Sequence, residues 1–129
     1  MTRSLLERYG GFPFLSRVVM AFYDKVLDSD VLAPFFEDVD MRRLIDHQTK
    51  FIAFLMGGPA SYTNEHLART HERLGIDRDA FDVMIVTMRE TLEDFDMDEG
   101  DIATVVHELR SRAPWVISAP ASGAPVAPA

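Results

Sequence analysis

Three polar side chains stand where helical periodicity calls for apolar ones: Tyr23, Gln48 and His71. In "EHLARTHERLGI", residues 65–76, His71 follows Leu67 by four positions and precedes Leu74 by three, so all three share one stripe of a helix. His66 lies about 140° from His71 by the same geometry and faces solvent. An unpartnered imidazole on a buried stripe costs roughly 1–3 kcal/mol, so something must accept its proton or bind its nitrogen. Gln48 projects near the middle of the arc formed by Leu44, Ile45, Phe51, Ile52, Leu55 and Met56, and His47 falls at the edge of that arc near Phe54. Tyr23 shares the apolar face of Leu15, Val18, Val19, Phe22, Val26 and Leu27, and its hydroxyl also needs a partner.

Taken singly, each is an ordinary buried polar residue, satisfied by a backbone carbonyl or a trapped water. Taken together, three inward polar groups on separate helices, with Phe35 and Phe36 between two of them, describe an enclosed cavity with a polar end. A neutral imidazole is a good iron ligand, and an aromatic-lined apolar cavity suits a flat macrocycle such as haem. Zinc fits less well, because His66 and His71 are on different faces and no paired ligand motif accompanies them. No nucleophile elbow or phosphate-cradling glycine loop occurs. The acidic run "EDFDMDEGD" lacks calcium-loop spacing and reads as a solvated helix junction, and His107 lies off the apolar stripe of its segment.

The elements that must position these residues are all helical, since no stretch alternates as a strand. Ser4 and Glu7 have capping-box spacing for a short first helix that Gly10 and Gly11 stop. A second helix covers about residues 13–28, and "APFFEDVD" turns the chain. Asp40 caps a third helix that ends at Gly57, Gly58 and Pro59. Asn64 caps the short helix bearing His71, and Gly75 supplies its left-handed end. Asp77 caps a long helix with Phe81, Met84, Ile85, Met88, Leu92 and Phe95, and a last helix at about 98–113 presents Ile102, Val105, Val106 and Leu109. Residues 1–117 thus form one helical domain, and the Pro- and Ala-rich tail 118–129 is expected to be disordered.

The chain has 129 residues, 47% of them apolar, which suffices for one core. A net charge of −8 with no basic stripe argues against nucleic acid. The absence of cysteine removes disulfides, thiolate metal sites and covalent C-x-x-C-H haem attachment. No signal-peptide core or membrane-spanning run is evident, so a cytoplasmic protein without membrane contacts is expected.

"LLERYGGFPFL", "VVMAFYDKVLDSDVLAPFFEDVDM", "HQTKF", "LMGGPASY" and "HLARTHERLGI" occur in order, and the match runs from residue 4 to about 113. Together they resemble the group I truncated haemoglobins. The resemblance implies an all-α, two-over-two helical sandwich around haem b, with His71 as proximal iron ligand. It places Tyr23 and Gln48 at the distal hydrogen-bonding positions and Phe36 on the haem face. Phe51 lines the cofactor from the same arc as Gln48. Leu44 occupies a distal position where some relatives carry glutamine, leaving a smaller polar network. His47 aligns with a position that in certain relatives gives iron a second histidine, the other reading being a surface residue or propionate neighbour. Tyr62, Arg42 and Arg73 are candidates for propionate contacts. Pro114 stands near the place where some relatives crosslink a histidine to haem, so non-covalent haem is expected, and Ile52 stands where some carry a gating phenylalanine.

Functionally, the resemblance implies reversible binding of dioxygen, nitric oxide and carbon monoxide by a monomer or weak dimer. Oxidation of nitric oxide to nitrate with a separate reductase uses the same site, and a gas or redox sensor is a further use. The competing class is a haem-free helical interaction module in which the polar trio is structural.

Overall fold

The computed structural model describes residues 4–58, 63, 65, 68, 71 and 75–117. Among these residues the regular structure is entirely helical. Helix α1 (Leu5–Tyr9) begins where the Ser4 hydroxyl accepts the Glu7 amide, and ends at Gly10, whose φ of +112° a side chain would strain. Helix α2 (Gly11–Leu27) starts two residues earlier than its periodicity suggests, so of the two glycines only Gly10 acts as a stop. It buries Phe14, Leu15, Val18, Val19, Phe22, Tyr23 and Val26. Leu27, expected on that face, is 46% exposed, because the core has already ended at the last turn of the helix.

A 3₁₀ turn (Ala33–Phe36) follows, and Asp40 then caps α3 (Met41–Leu55) by accepting the Arg43 amide at 3.3 Å. Glu65, Ala68 and His71 are helical, and Gly75 has φ +67°, as its place after that segment suggests. The expected cap Asn64, the stripe partners Leu67 and Leu74, and the tail from residue 118 lie outside the described residues. Asp77 caps α4 (Arg78–Asp94), its carboxylate accepting the Ala80 amide at 2.8 Å, and Phe95 sits just past the end of that helix.

The last expected helix is two. Helix α5 (Glu99–Arg110) stops, Ser111 and Arg112 turn, and α6 (Ala113–Val116) adds a single turn. Pro114 explains the break, since proline lacks an N–H and is tolerated only in the first turn of a new helix.

Two helix pairs result: α2 packs on α3, α4 on α5, and α2 also meets α4 so that one pair lies against the other. The shared core includes Leu15, Val18, Phe81, Ile85, Leu92, Ile102 and Val105. Buried hydroxyls of Thr49, Thr87 and Thr91 donate to the carbonyls of Ile45, Val83 and Thr87 one turn back, which leaves no sealed polar atom unmatched among the described residues.

Helix α1 clasps both pairs. The Leu6 amide donates to the Met56 carbonyl at 3.0 Å, just beyond the end of α3. At the start of α5, the Tyr9 hydroxyl donates to Asp101 at 2.5 Å and accepts the Asp98 amide at 3.1 Å, while Arg8 pairs with Asp101 at 3.0 Å. The close approach at the end of α3 also requires Gly58: a Cβ there would lie 2.8 Å from the Ala53 carbonyl oxygen and 2.9 Å from the Leu6 side chain. No helix among the described residues is long and apolar enough to cross a membrane.

Candidate functional site

The helices leave a cavity between them with about 890 Å³ of empty space, counted out through its mouth. Its wall is built by α2, the 3₁₀ turn, α3, the His71 segment, α4 and the stretch from α5 to α6. Six of the residues singled out by sequence converge on it: Tyr23, Phe36, Leu44, Gln48, Phe51 and His71. The remaining wall is mostly aliphatic and aromatic, including Phe22, Ile52, Phe81, Met84, Ile85 and Met88.

Tyr23 is 6% exposed and is held by rings on two sides. Phe22 meets it edge-on at 4.9 Å and Phe36 at 5.8 Å, both with interplanar angles of 73°. These contacts orient the phenol without using its hydroxyl. No group among the described residues hydrogen-bonds that hydroxyl, and it is not a sealed atom, while the residue itself borders the cavity. Burial pushes the Tyr23 phenol above its usual range, and it therefore remains a protonated donor. Gln48, half-buried near the middle of α3, adds an amide to the same wall, and His71 adds a half-buried imidazole.

The other candidates are placed elsewhere. His47 is exposed on α3 and is not part of the cavity wall. Arg42 is exposed and borders a separate surface depression with Phe12 and Pro13. Tyr62 and Arg73 lie outside the described residues. His107 is exposed on α5.

Sequence reasoning missed Arg112, which lines the cavity although its side chain is charged. Its Nη1 donates to the Glu108 carbonyl at 2.8 Å and to the Glu108 carboxylate at 3.0 Å, and its guanidinium lies 5.8 Å over the Phe54 ring. The spacing carried a signal: Arg112 follows Leu109 by three positions, the interval that places residues on one helix face.

The donor set suits haem. One imidazole, two neutral hydrogen-bonding side chains and, Arg112 apart, an apolar, largely aromatic wall match what a flat hydrophobic macrocycle with an iron centre requires. Among the described residues of the wall His71 is the one histidine.

Comparison with known proteins agrees. A family model for bacterial-like globins matches residues 4–118. A group 1 truncated hemoglobin of Synechocystis is 31% identical over 106 residues, spanning 79% of this chain and 86% of that protein. One from Tetrahymena thermophila is 27% identical over 110 residues, spanning 83% of this chain and 91% of its own. Among solved structures, the 2/2 hemoglobin from Synechococcus, in the cyanomet state with covalently attached heme, superposes with a TM-score of 0.82 at 26% identity, covering 89% of this chain and 98% of that one. The helix pairs, the cavity between them and these matches agree along nearly the full described length, and the chain belongs to the bacterial-like globin family, among the group 1 truncated haemoglobins.

Proposed function

We propose that this chain holds non-covalent haem b in the cavity and binds dioxygen, nitric oxide and carbon monoxide reversibly. Haem supplies a ferrous iron able to take up a diatomic gas. The His71 imidazole would hold that iron, while Tyr23 donates its hydroxyl proton and Gln48 its amide to a polar guest in the cavity. Leu44 contributes no donor, so the polar network has two members. Phe36 and Phe51 pack against the macrocycle and keep water away. Non-covalent attachment is supported by Pro114 and by the lack of a second histidine among the described wall residues.

The observation that carries this reading is the convergence of His71, Tyr23 and Gln48, from three separate segments, on one mostly apolar cavity. An absorption spectrum of the purified protein beside that of His71→Gly tests it. A Soret band is expected in the first and lost or shifted in the second; a colourless protein after saturation with hemin rules the reading out and leaves the interaction module. His47, exposed on α3, is assigned no bond to iron, and His47→Ala should leave the ferric spectrum unchanged.

A second activity, oxidation of nitric oxide by bound dioxygen to nitrate with a reductase restoring ferrous iron, is favoured by one feature. The reaction releases an anion, and the wall of this apolar cavity carries a guanidinium. Nitric oxide consumption matched by nitrate formation, in the presence of a reducing partner, is the corresponding measurement.

A further inference from the structure

Among the described residues of the cavity wall Arg112 is the one side chain of permanent charge, and three of its surfaces are accounted for unequally. Its face lies over the Phe54 ring. Both Nη1 protons are engaged, one by the Glu108 carbonyl oxygen at 2.8 Å and one by the Glu108 carboxylate at 3.0 Å. What remains is the edge formed by Nε–H and the two Nη2 protons, which no group among the described residues accepts. That edge is one of the two through which a guanidinium grips a carboxylate or similar planar anion by two parallel hydrogen bonds. The side chain is 19% exposed and pinned by stacking and by Glu108, so little further ordering is needed to use it.

We propose that Arg112 is an anion-binding residue of the cavity, receiving a planar oxyanion on its Nε–Nη2 edge. Two sources share this chemistry: a carboxylate of the bound porphyrin, and a free oxyanion such as nitrate. The proposal rests on the haem reading for the first source. Glu108 opposes binding by its charge, but its side chain is 42% exposed, which weakens that opposition through solvent screening.

The test uses the ferrous, carbon monoxide-saturated holoprotein and has two arms. In the first, sodium nitrate is titrated at constant ionic strength while the Arg112 Nε–H resonance is followed. A saturable shift is expected, with affinity about two- to five-fold tighter in Glu108→Gln, where the opposing charge is gone. In the second, the rate of haem transfer to apomyoglobin is measured with protohaem and with its dimethyl ester. Arg112→Met should lose protohaem roughly ten-fold faster than the parent and the ester no faster, while Arg112→Lys, which keeps the charge without the fork, should fall between. A response in the first arm alone assigns the edge to small anions, and in the second alone to the cofactor. No response in either arm overturns the proposal. The Soret band of each variant reports separately whether the haem reading itself holds, and the first arm on the parent protein needs no Arg112 variant to fold.

Discussion

At the scale of single residues, the cavity depends on a phenol kept neutral and aimed by its neighbours. A hydrogen bond from Tyr23 to a partly charged guest is worth roughly 1.5–3 kcal/mol, so Tyr23→Phe should raise the dioxygen release rate about ten- to a hundred-fold. Stopped-flow displacement by carbon monoxide measures this, and an unchanged rate removes Tyr23 from the distal role. Its neighbours Phe22 and Phe36 should keep the phenylalanine ring in place, so stability is expected to change little. Tyr23, Gln48 and His71 were legible in the sequence because each breaks an apolar stripe, and a broken stripe is a local signal. Arg112 was not read, for a physical reason: arginine near a helix end is ordinarily solvated. Only the tertiary approach of Phe54 and the turn at Ser111 lay it along the cavity.

At the scale of elements, side-chain caps and left-handed glycines set most boundaries, and these are short-range devices that a sequence displays openly. Ser4, Asp40 and Asp77 cap the helices they precede, and Gly10 and Gly75 take left-handed φ values at 112° and 67°. What the pattern hid is the division of the last helix, because Leu109, Ala113 and Val116 continue helical spacing across the break. It also hid the need for Gly58. Gly58→Ala should cost about 1–3 kcal/mol, since both the Ala53 carbonyl and Leu6 must retreat; a chemical-denaturation midpoint reports it. The clasp of α1 onto α5 has its own pH window. The hydrogen bonds from Arg8, then Tyr9, hold the Asp101 carboxyl below the usual carboxylate range, so its contribution is present above about pH 4 and lost as pH falls further. Burial, then the bond to Asp101, raises the Tyr9 phenol, so that contribution persists below about pH 10 and is lost above it. Melting curves of Asp101→Asn should therefore depend less steeply on pH than the parent below pH 4 and run parallel to it near neutrality.

At the scale of the whole molecule, periodicity established that every element is helical but not which helices pair, because amphipathic faces are not addressed to particular partners. The packing of α2 on both α3 and α4 brings Tyr23 and Gln48 to the space that His71 also lines. A ligand that binds only the folded chain adds about 4 kcal/mol at a thousand-fold excess over its dissociation constant. For a chain of this size, removing haem should lower the thermal midpoint by roughly 10–15 °C, and differential scanning of the apo and reconstituted forms measures it. Equal midpoints would mean that hemin does not occupy the native interior. Because the wall takes residues from both helix pairs, neither pair alone can enclose the guest. Pigment retained per mole of chain is then a direct gauge of how much polypeptide in a sample has assembled, readable by eye before any instrument is used.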